Sequence, residues 1–274
     1  MWNMATTFLF ADGKASEERS GGTLVDASAR LPAGSYTTLR TYGGTSVVRL
    51  DRHVLRLVES LPADATGHAT LEPAAVRSAL AHALRATGHP ESRVRITFAP
   101  PRLFVTVEPF TPVEEQLRRT GVACVTVAVR RERPEAKDTR FLATAQAAYA
   151  ALPAGVHEGL LVADDGAILE GLSSNFFAIH RGRLLTEETR ALRGVTRSMV
   201  LDLARPLLPP GDGALHVDQL AEARECFITS VSREVLPVVR IDAVEIGDGA
   251  PGPMTRDLIR RFKAAVENEV ERLF

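Results

Sequence analysis

The stretch from Glu170 to Arg197, EGLSSNFFAIHRGRLLTEETRALRGVTR, constrains this chain more than any other. It follows a short apolar run, Gly159 to Ala163, of the kind a buried strand presents. Asp164-Asp165-Gly166 then supplies the positive-φ residues of a tight hairpin. The returning strand delivers Glu170, and Gly171 marks a place where a neighbour comes close. Phe176, Phe177 and Ile179 continue a β pattern, His180-Arg181-Gly182 turns again, and Leu184-Leu185 makes another short strand. Gly194-Val195-Thr196-Arg197 opens an amphipathic segment with apolar Met199, Val200, Leu203 and Leu207. A Gly-Val-Thr run at a helix start offers free backbone N–H groups and a hydroxyl to an anion. The stretch thus pairs a carboxylate on a rigid strand with an anion cradle. An enzyme that binds a phosphorylated, positively charged cofactor needs both.

The run E-G-x-S-S-N-F-F, then a hairpin, then L-x-T, then L-x-G-V-T-R resembles the signature of fold-type IV pyridoxal-phosphate (PLP) enzymes, the class IV aminotransferases. That group holds branched-chain and D-amino-acid aminotransferases and 4-amino-4-deoxychorismate lyase. The resemblance implies an α+β chain of two domains, D-amino-acid aminotransferase-like. It has a small N-terminal α/β sandwich and a larger C-terminal β-barrel-like domain with helices. The run Glu108 to Glu115, EPFTPVEE, marks the connection. The expected division is a small domain over 1–110, a linker over 111–118 and a large domain over 119–274.

In the first part, Thr7 to Phe10 reads as a strand before an Ala11-Asp12-Gly13 turn, Tyr36 to Tyr42 as a strand, and Val47 to Leu50 as another. Asp51 can cap the helix that carries His53, Arg56 and Leu57. Leu71 to Thr87 is a stronger helix, with Val76, Leu80 and Leu84 on its apolar face and Gly88 as its stop. Val94 to Phe98 and Leu103 to Val107 flank the Pro100-Pro101 turn as strands. The H-x-x-R-L run from His53 to Leu57 resembles the family's phosphate-contacting motif, which makes Arg56 the candidate phosphate ligand. A planar guanidinium suits a pair of phosphate oxygens.

The second part opens with a buried-strand run, Gly121 to Val129, followed by RRERP and then Ala136-Lys137-Asp138-Thr139-Arg140-Phe141. An alanine-rich helix runs on through Leu152. The chain has only three lysines, Lys14, Lys137 and Lys263, so an arginine-rich protein keeps a lysine at this place. Only a primary amine of depressible pKa can condense with an aldehyde and later shuttle a proton. Lys14 in a turn and Lys263 beside Arg260 and Arg261 read as solvated surface. The resemblance places the family's Schiff-base lysine at Lys137.

The resemblance further implies that Glu170 pairs with the pyridine nitrogen. The Val195 and Thr196 backbone and the Ser230-Val231-Ser232 loop would join Arg56 on the phosphate. Asn175 would orient Glu170 or its hairpin. Val231 keeps an N–H but lacks a hydroxyl that relatives carry there. Phe141 stands near a position where branched-chain enzymes have a tyrosine, and Leu31 to Thr38 departs from the family pattern. Tyr36 and Arg40 are candidate substrate contacts beside Phe141. Met254 to Phe274 reads as a C-terminal helix.

At 274 residues and a formal net charge of −1, the chain can bury a sizeable core and carries no field that favours nucleic acid or an acidic membrane. No apolar run is long enough to span a bilayer, and no basic-then-apolar leader stands at the start, so a cytoplasmic enzyme is expected. Cys124 and Cys226 lie in apolar β-rich runs and read as buried thiols in a reducing compartment. No metal is expected. The resemblance implies an aminotransferase moving an amino group from a branched-chain-like amino acid to a 2-oxo acid such as 2-oxoglutarate, with small-molecule substrates and a homodimeric assembly. Three other readings are aminodeoxychorismate lyase, a D-amino-acid aminotransferase, and a non-catalytic PLP-binding module. Ala29 to Thr38 is small and apolar with Arg30 its only charge, the pattern of a covered segment that could close a site in such a dimer.

Overall fold

Strand residues of alternating character organise the first of two units into which the computed structural model divides. The structure describes residues 4–11, 14–19, 21–61 and 70–274, so the Asp12-Gly13 turn lies outside the described residues. The first unit holds Met1–Thr111 with Ala136–Ala143 and Asn268–Phe274, and the second holds Pro112–Glu135 and Thr144–Glu267. Lys137 therefore belongs to the first unit, not to the 119–274 segment in which the sequence places it.

The first unit runs β1 (Thr6–Ala11), β2 (Lys14–Arg19), α1 (Leu24–Ala29), β3 (Ser35–Arg40), β4 (Ser46–Val48), α2 (Leu50–Glu59), α3 (Pro73–Thr87), β5 (Ser92–Ala99) and β6 (Arg102–Pro109). An antiparallel sheet orders the strands β2-β1-β6-β5-β3. Leu39, Val94, Ile96, Val105, Val107 and Phe8 share one face and pack against Val54, Leu57, Val76, Leu80 and Leu84 of the helices. The opposite face is polar: Tyr36, Arg40, Arg93, Arg95, Thr97 and Glu108. Ser35, Tyr36 and Thr37 are buried.

Two sequence expectations need correction here. Asp51 does not cap α2. Arg49 is the N-cap, in the left-handed region at φ 51°, and the Leu50 N–H donates to Glu271 at 3.1 Å. A carboxylate from far along the chain satisfies the helix start, as the partial positive charge there favours. The C-terminal helix also ends early, at Glu269, and Val270–Arg272 forms a strand antiparallel to β4. Helical periodicity persists to the end of the sequence, but the β4 edge takes up the last residues.

The chain continues with α4 (Glu115–Thr120), which overlaps the expected linker, β7 (Val122–Val127), α5 (Arg140–Ala150), whose first residues fall in the first unit, β8 (Val156–Val162), β9 (Ile168–Gly171), β10 (Asn175–His180) and β11 (Arg183–Leu185). There follow α6 (Val195–Ala204), β12 (Glu225–Ser230), β13 (Glu234–Ile241), β14 (Val244–Glu245) and α7 (Pro253–Glu269), after which β15 (Val270–Arg272) belongs to the first unit. Strands β10-β12-β13-β7-β8-β9 form a ring that one pair, Asn175 opposite Glu170, closes back onto β10. Closure removes the open edges of a sheet. Phe176, Ala178, Ile228, Leu236, Val238, Val122 and Leu160 fill its core. Phe177 and Phe227 stack on the other face, ring centroids 4.9 Å apart.

One irregularity sets the direction of Glu170. Leu161 pairs with Glu170, but Val162 pairs with Ile168, so Leu169 is an extra residue in β9. Without that bulge, Glu170 would share the core face with Ile168. With it, Glu170 points the same way as Asn175 and Thr229, its neighbours across two strand pairs.

Candidate active site

In the first unit Lys137 lies along the free edge of β3. The Tyr36 N–H donates to the Lys137 carbonyl at 2.8 Å, the Lys137 N–H to Ser60 Oγ at 3.0 Å, and the Thr139 N–H to the Gly34 carbonyl at 3.0 Å. These bonds fix the backbone and leave the side chain to reach over the Tyr36 ring, Nζ 4.9 Å from its centroid. Arg95 reaches the same ring from β5, its guanidinium carbon 4.8 Å from the centroid. Arg95 is 6% exposed, and its Nε and Nη1 have no hydrogen-bond partner. Burial lowers its pKa. A strand of alternating Arg and apolar residues gave no reason to single it out, yet it brings a second cation to Tyr36.

Arg40 is held elsewhere. Its guanidinium is clamped between the Tyr42 and Phe110 rings at 4.3 and 4.6 Å. Four residues of strand set it about 13 Å from Tyr36 along β3. Phe141, buried in the first turn of α5, offers no hydrogen-bonding group.

Arg56 is aimed by a buried relay. Its Nη2 donates to Thr37 Oγ1 at 2.5 Å, and Thr37 Oγ1 lies 2.7 Å from His53 Nδ1. Because the hydroxyl accepts from Arg56, its own proton goes to Nδ1, which places the imidazole proton on Nε2. Burial, reinforced by the Arg56 and Lys137 charges, holds the His53 pKa well below its ordinary value. His53 is thus a neutral acceptor.

The second unit assembles the other residues. Glu170, 3% exposed, accepts from Arg131 Nη1 at 2.8 Å and from the Leu192 N–H at 3.0 Å. The Leu192 carbonyl accepts from Asn175 Nδ2 at 2.6 Å, so one residue of the loop before α6 is clipped to both sides of the ring closure. Asn175 thereby positions the loop that also holds Glu170. Gly194 is required next: a Cβ there would lie 2.3 Å from Asn175 Oδ1. No side chain caps α6 and its first turn carries no acid, so the Val195 and Thr196 N–H groups stand at an uncompensated positive end. Thr229 Oγ1, on the Glu170–Asn175 face, is buried without a partner. Ser230 ends β12 and its Oγ accepts from the Arg233 N–H at 3.2 Å, which folds Val231 and Ser232 into a three-residue turn. Arg131 was missed by sequence reasoning, since RRER reads as a solvated run.

The His53 relay fixes a pH dependence. The unfolded chain takes up a proton near pH 6.5 that native His53 refuses, so this part of the stability is present above that pH and is lost as pH falls below it. His53→Asn, which keeps an acceptor but cannot titrate, lacks this loss. The difference in urea midpoint between the native protein and the variant is expected to shift against the native protein between pH 8 and pH 5. A pH-independent difference would show that His53 is not held neutral.

Comparison with known proteins now bears on these groups. The family described as amino-transferase class IV matches residues 34–241. The D-alanine aminotransferase of Bacillus licheniformis is 31% identical over 262 residues, 89% of this chain and 90% of that protein. The branched-chain-amino-acid aminotransferase of Escherichia coli K12 is 31% identical over 120 residues, 43% of this chain and 39% of that protein. Among solved structures, the Escherichia coli branched-chain amino acid aminotransferase superposes with a TM-score of 0.77 at 20% identity, covering 100% of both chains. The enzyme of Thermoproteus uzoniensis with norvaline gives 0.79 at 23% identity, covering 98% of this chain and 100% of that one. With the closed barrel, the lysine beside β3 and the carboxylate at the ring closure in place, the family match over most of its length shows that this chain belongs to the class IV aminotransferases, enzymes that work with pyridoxal phosphate.

Proposed function

We propose that the chain transfers the amino group of a branched-chain-like amino acid to a 2-oxo dicarboxylic acid such as 2-oxoglutarate. The observation that carries this reading is Arg95. Its buried guanidinium has unsatisfied Nε and Nη1, and it shares the Tyr36 ring with the Lys137 amine. A buried cation with free donors calls for an anion, because an unpartnered charge is costly away from water. A substrate carrying a second carboxylate supplies one. Similarity to a D-alanine aminotransferase over 89% of the chain supports a second reading, a donor of D configuration.

The donor set fits PLP: a primary amine at Lys137, an anion-seeking helix start at Val195 and Thr196, the orphan hydroxyl of Thr229, and a buried carboxylate at Glu170. When bound, that cofactor supplies the electron sink that makes a Cα proton removable. Lys137 Nζ would be the base that takes the Cα proton. Glu170, paired with Arg131 at 2.8 Å, would accept a hydrogen bond from the ring nitrogen. Arg56, the Val195 and Thr196 N–H groups and the Ser230-Val231-Ser232 turn take the phosphate, while Asn175 holds the loop between them.

Amino transfer is tested with a panel of L- and D-amino acids and 2-oxoglutarate, beside pyruvate release from aminodeoxychorismate. Transfer from L-leucine or L-valine that Lys137→Ala abolishes is the expected result. Transfer confined to D-amino acids selects the second reading, and pyruvate release without transfer rejects both. Glu170→Gln is expected to retain PLP yet lose about a hundredfold or more in turnover, the scale of one lost electrostatic contact to developing charge. Near-native turnover would remove Glu170 from the ring nitrogen. A homodimer belongs to the same proposal, and light scattering at micromolar concentration should give about twice the chain mass. A fully active monomer rejects it.

A further inference from the structure

One end of the barrel core is closed by a polar group that none of the roles above uses. Glu158, fully buried, stands opposite Cys124 on β7, on the core side of β8. Its carboxylate accepts from the Tyr149 phenol, from Ser174 Oγ at 2.8 Å, from Arg233 Nη1 at 3.1 Å and from the Gly159 N–H at 3.1 Å. Arg233 Nη1 also donates to Ser173 Oγ at 2.9 Å, and Nη2 to the Tyr149 oxygen at 3.2 Å. The hydrogens can be assigned. Burial pushes the Tyr149 pKa up, so the phenol keeps its proton and gives it to Glu158. The phenol oxygen then accepts from Ser173 Oγ at 2.5 Å and from Arg233. Burial alone would lower the Arg233 pKa, but the Glu158 charge outweighs it and the guanidinium stays protonated.

This group joins two places that matter for the cofactor. Ser173 and Ser174 form the corner between Glu170-Gly171 and Asn175, and it is tight: a Cβ on Gly171 would lie 2.2 Å from Ser174 Oγ. Arg233 is the last residue of the Val231–Arg233 turn. A buried arginine, Arg118, holds the far side of that turn by donating to the Arg233 carbonyl at 2.9 Å and the Val235 carbonyl at 2.8 Å. Glu234 completes the turn in the left-handed region at φ 57°, a conformation that needs such outside support. The Arg233 charge is neutralised by Glu158, so its role toward an anion is geometric.

We propose that Arg233 is a positioning residue for the cofactor phosphate. It ties the Val231–Ser232 backbone to the rigid Ser173–Ser174 corner, so that the N–H groups of the turn are already aimed when the anion arrives. The inference rests on the reading that the Ser230–Ser232 turn takes the phosphate. It is tested by binding PLP and, separately, pyridoxal, which lacks the phosphate, to the apoprotein and following each by equilibrium dialysis. Arg233→Met is expected to weaken PLP about tenfold or more, the scale of one charge-assisted hydrogen bond, and to leave pyridoxal binding nearly unchanged. Glu158→Gln, which keeps the shape and removes the charge, is expected to show the same selective loss and stands in where Arg233→Met does not fold. Equal weakening of both ligands, or of neither, overturns the inference while the wild type still prefers PLP. A wild-type protein that binds PLP no more tightly than pyridoxal overturns the phosphate reading itself, and the inference with it.

Discussion

The single residue pair that closes the barrel, Glu170 opposite Asn175, is the constraint on which the second unit depends. Asn175 faces Glu170 on one side and Thr229 on the other, so one strand residue brings three polar side chains to a common face. The Leu169 bulge makes this compatible with packing, since it lets Ile168 stay in the core while Glu170 turns out of it. Leu192 then adds the helix start: its N–H holds the carboxylate and its carbonyl holds the amide. Strand register, loop and helix N-terminus are therefore set by the same few bonds.

Much of this was legible in the sequence, where local rules suffice. The strands around Val94 and Val105, the helix that Gly88 stops, and the hairpins from Asp164 to Leu185 follow from periodicity and turn chemistry. The unusual retention of a lysine at position 137 pointed to an amine with a chemical task. What escaped depends on partners far along the chain. Arg131 reads as one more charge in RRER until its bond to Glu170 is seen. Arg95 alternates with Val94 and Ile96, and only the polar second face of the sheet distinguishes it. The bulge at Leu169 exists only relative to β8, and Asp51 lost its capping role to a carboxylate at position 271.

Arginine takes on much of the buried polar work here because a forked, permanently charged donor satisfies several acceptors at once. Arg118 serves two carbonyls and the Glu234 carboxylate. Arg233 serves a carboxylate, a serine and a phenol. Arg40 donates to the Thr41 carbonyl at 3.3 Å and meets two aromatic faces. Arg95 departs from this pattern, a buried guanidinium with both Nε and Nη1 unsatisfied. A chain that assigns structural duty to arginine keeps few lysines, and the Lys137 amine stands over an aromatic ring.

The strand Val270–Arg272 gives the first unit an unusual dependence on time. β4 finds its partner, α2 its capping carboxylate and Arg49 its ion pair with Glu269 only in residues about 220 positions downstream. During synthesis the first unit can collapse around its five-stranded sheet, but it stays unfinished until Glu269 to Arg272 have been made. Contacts of such separation form late because loop-closure entropy opposes them. Completion of the first unit thus reports that the second has already been made, a built-in order in which residues 46–50 are secured only after the intervening unit.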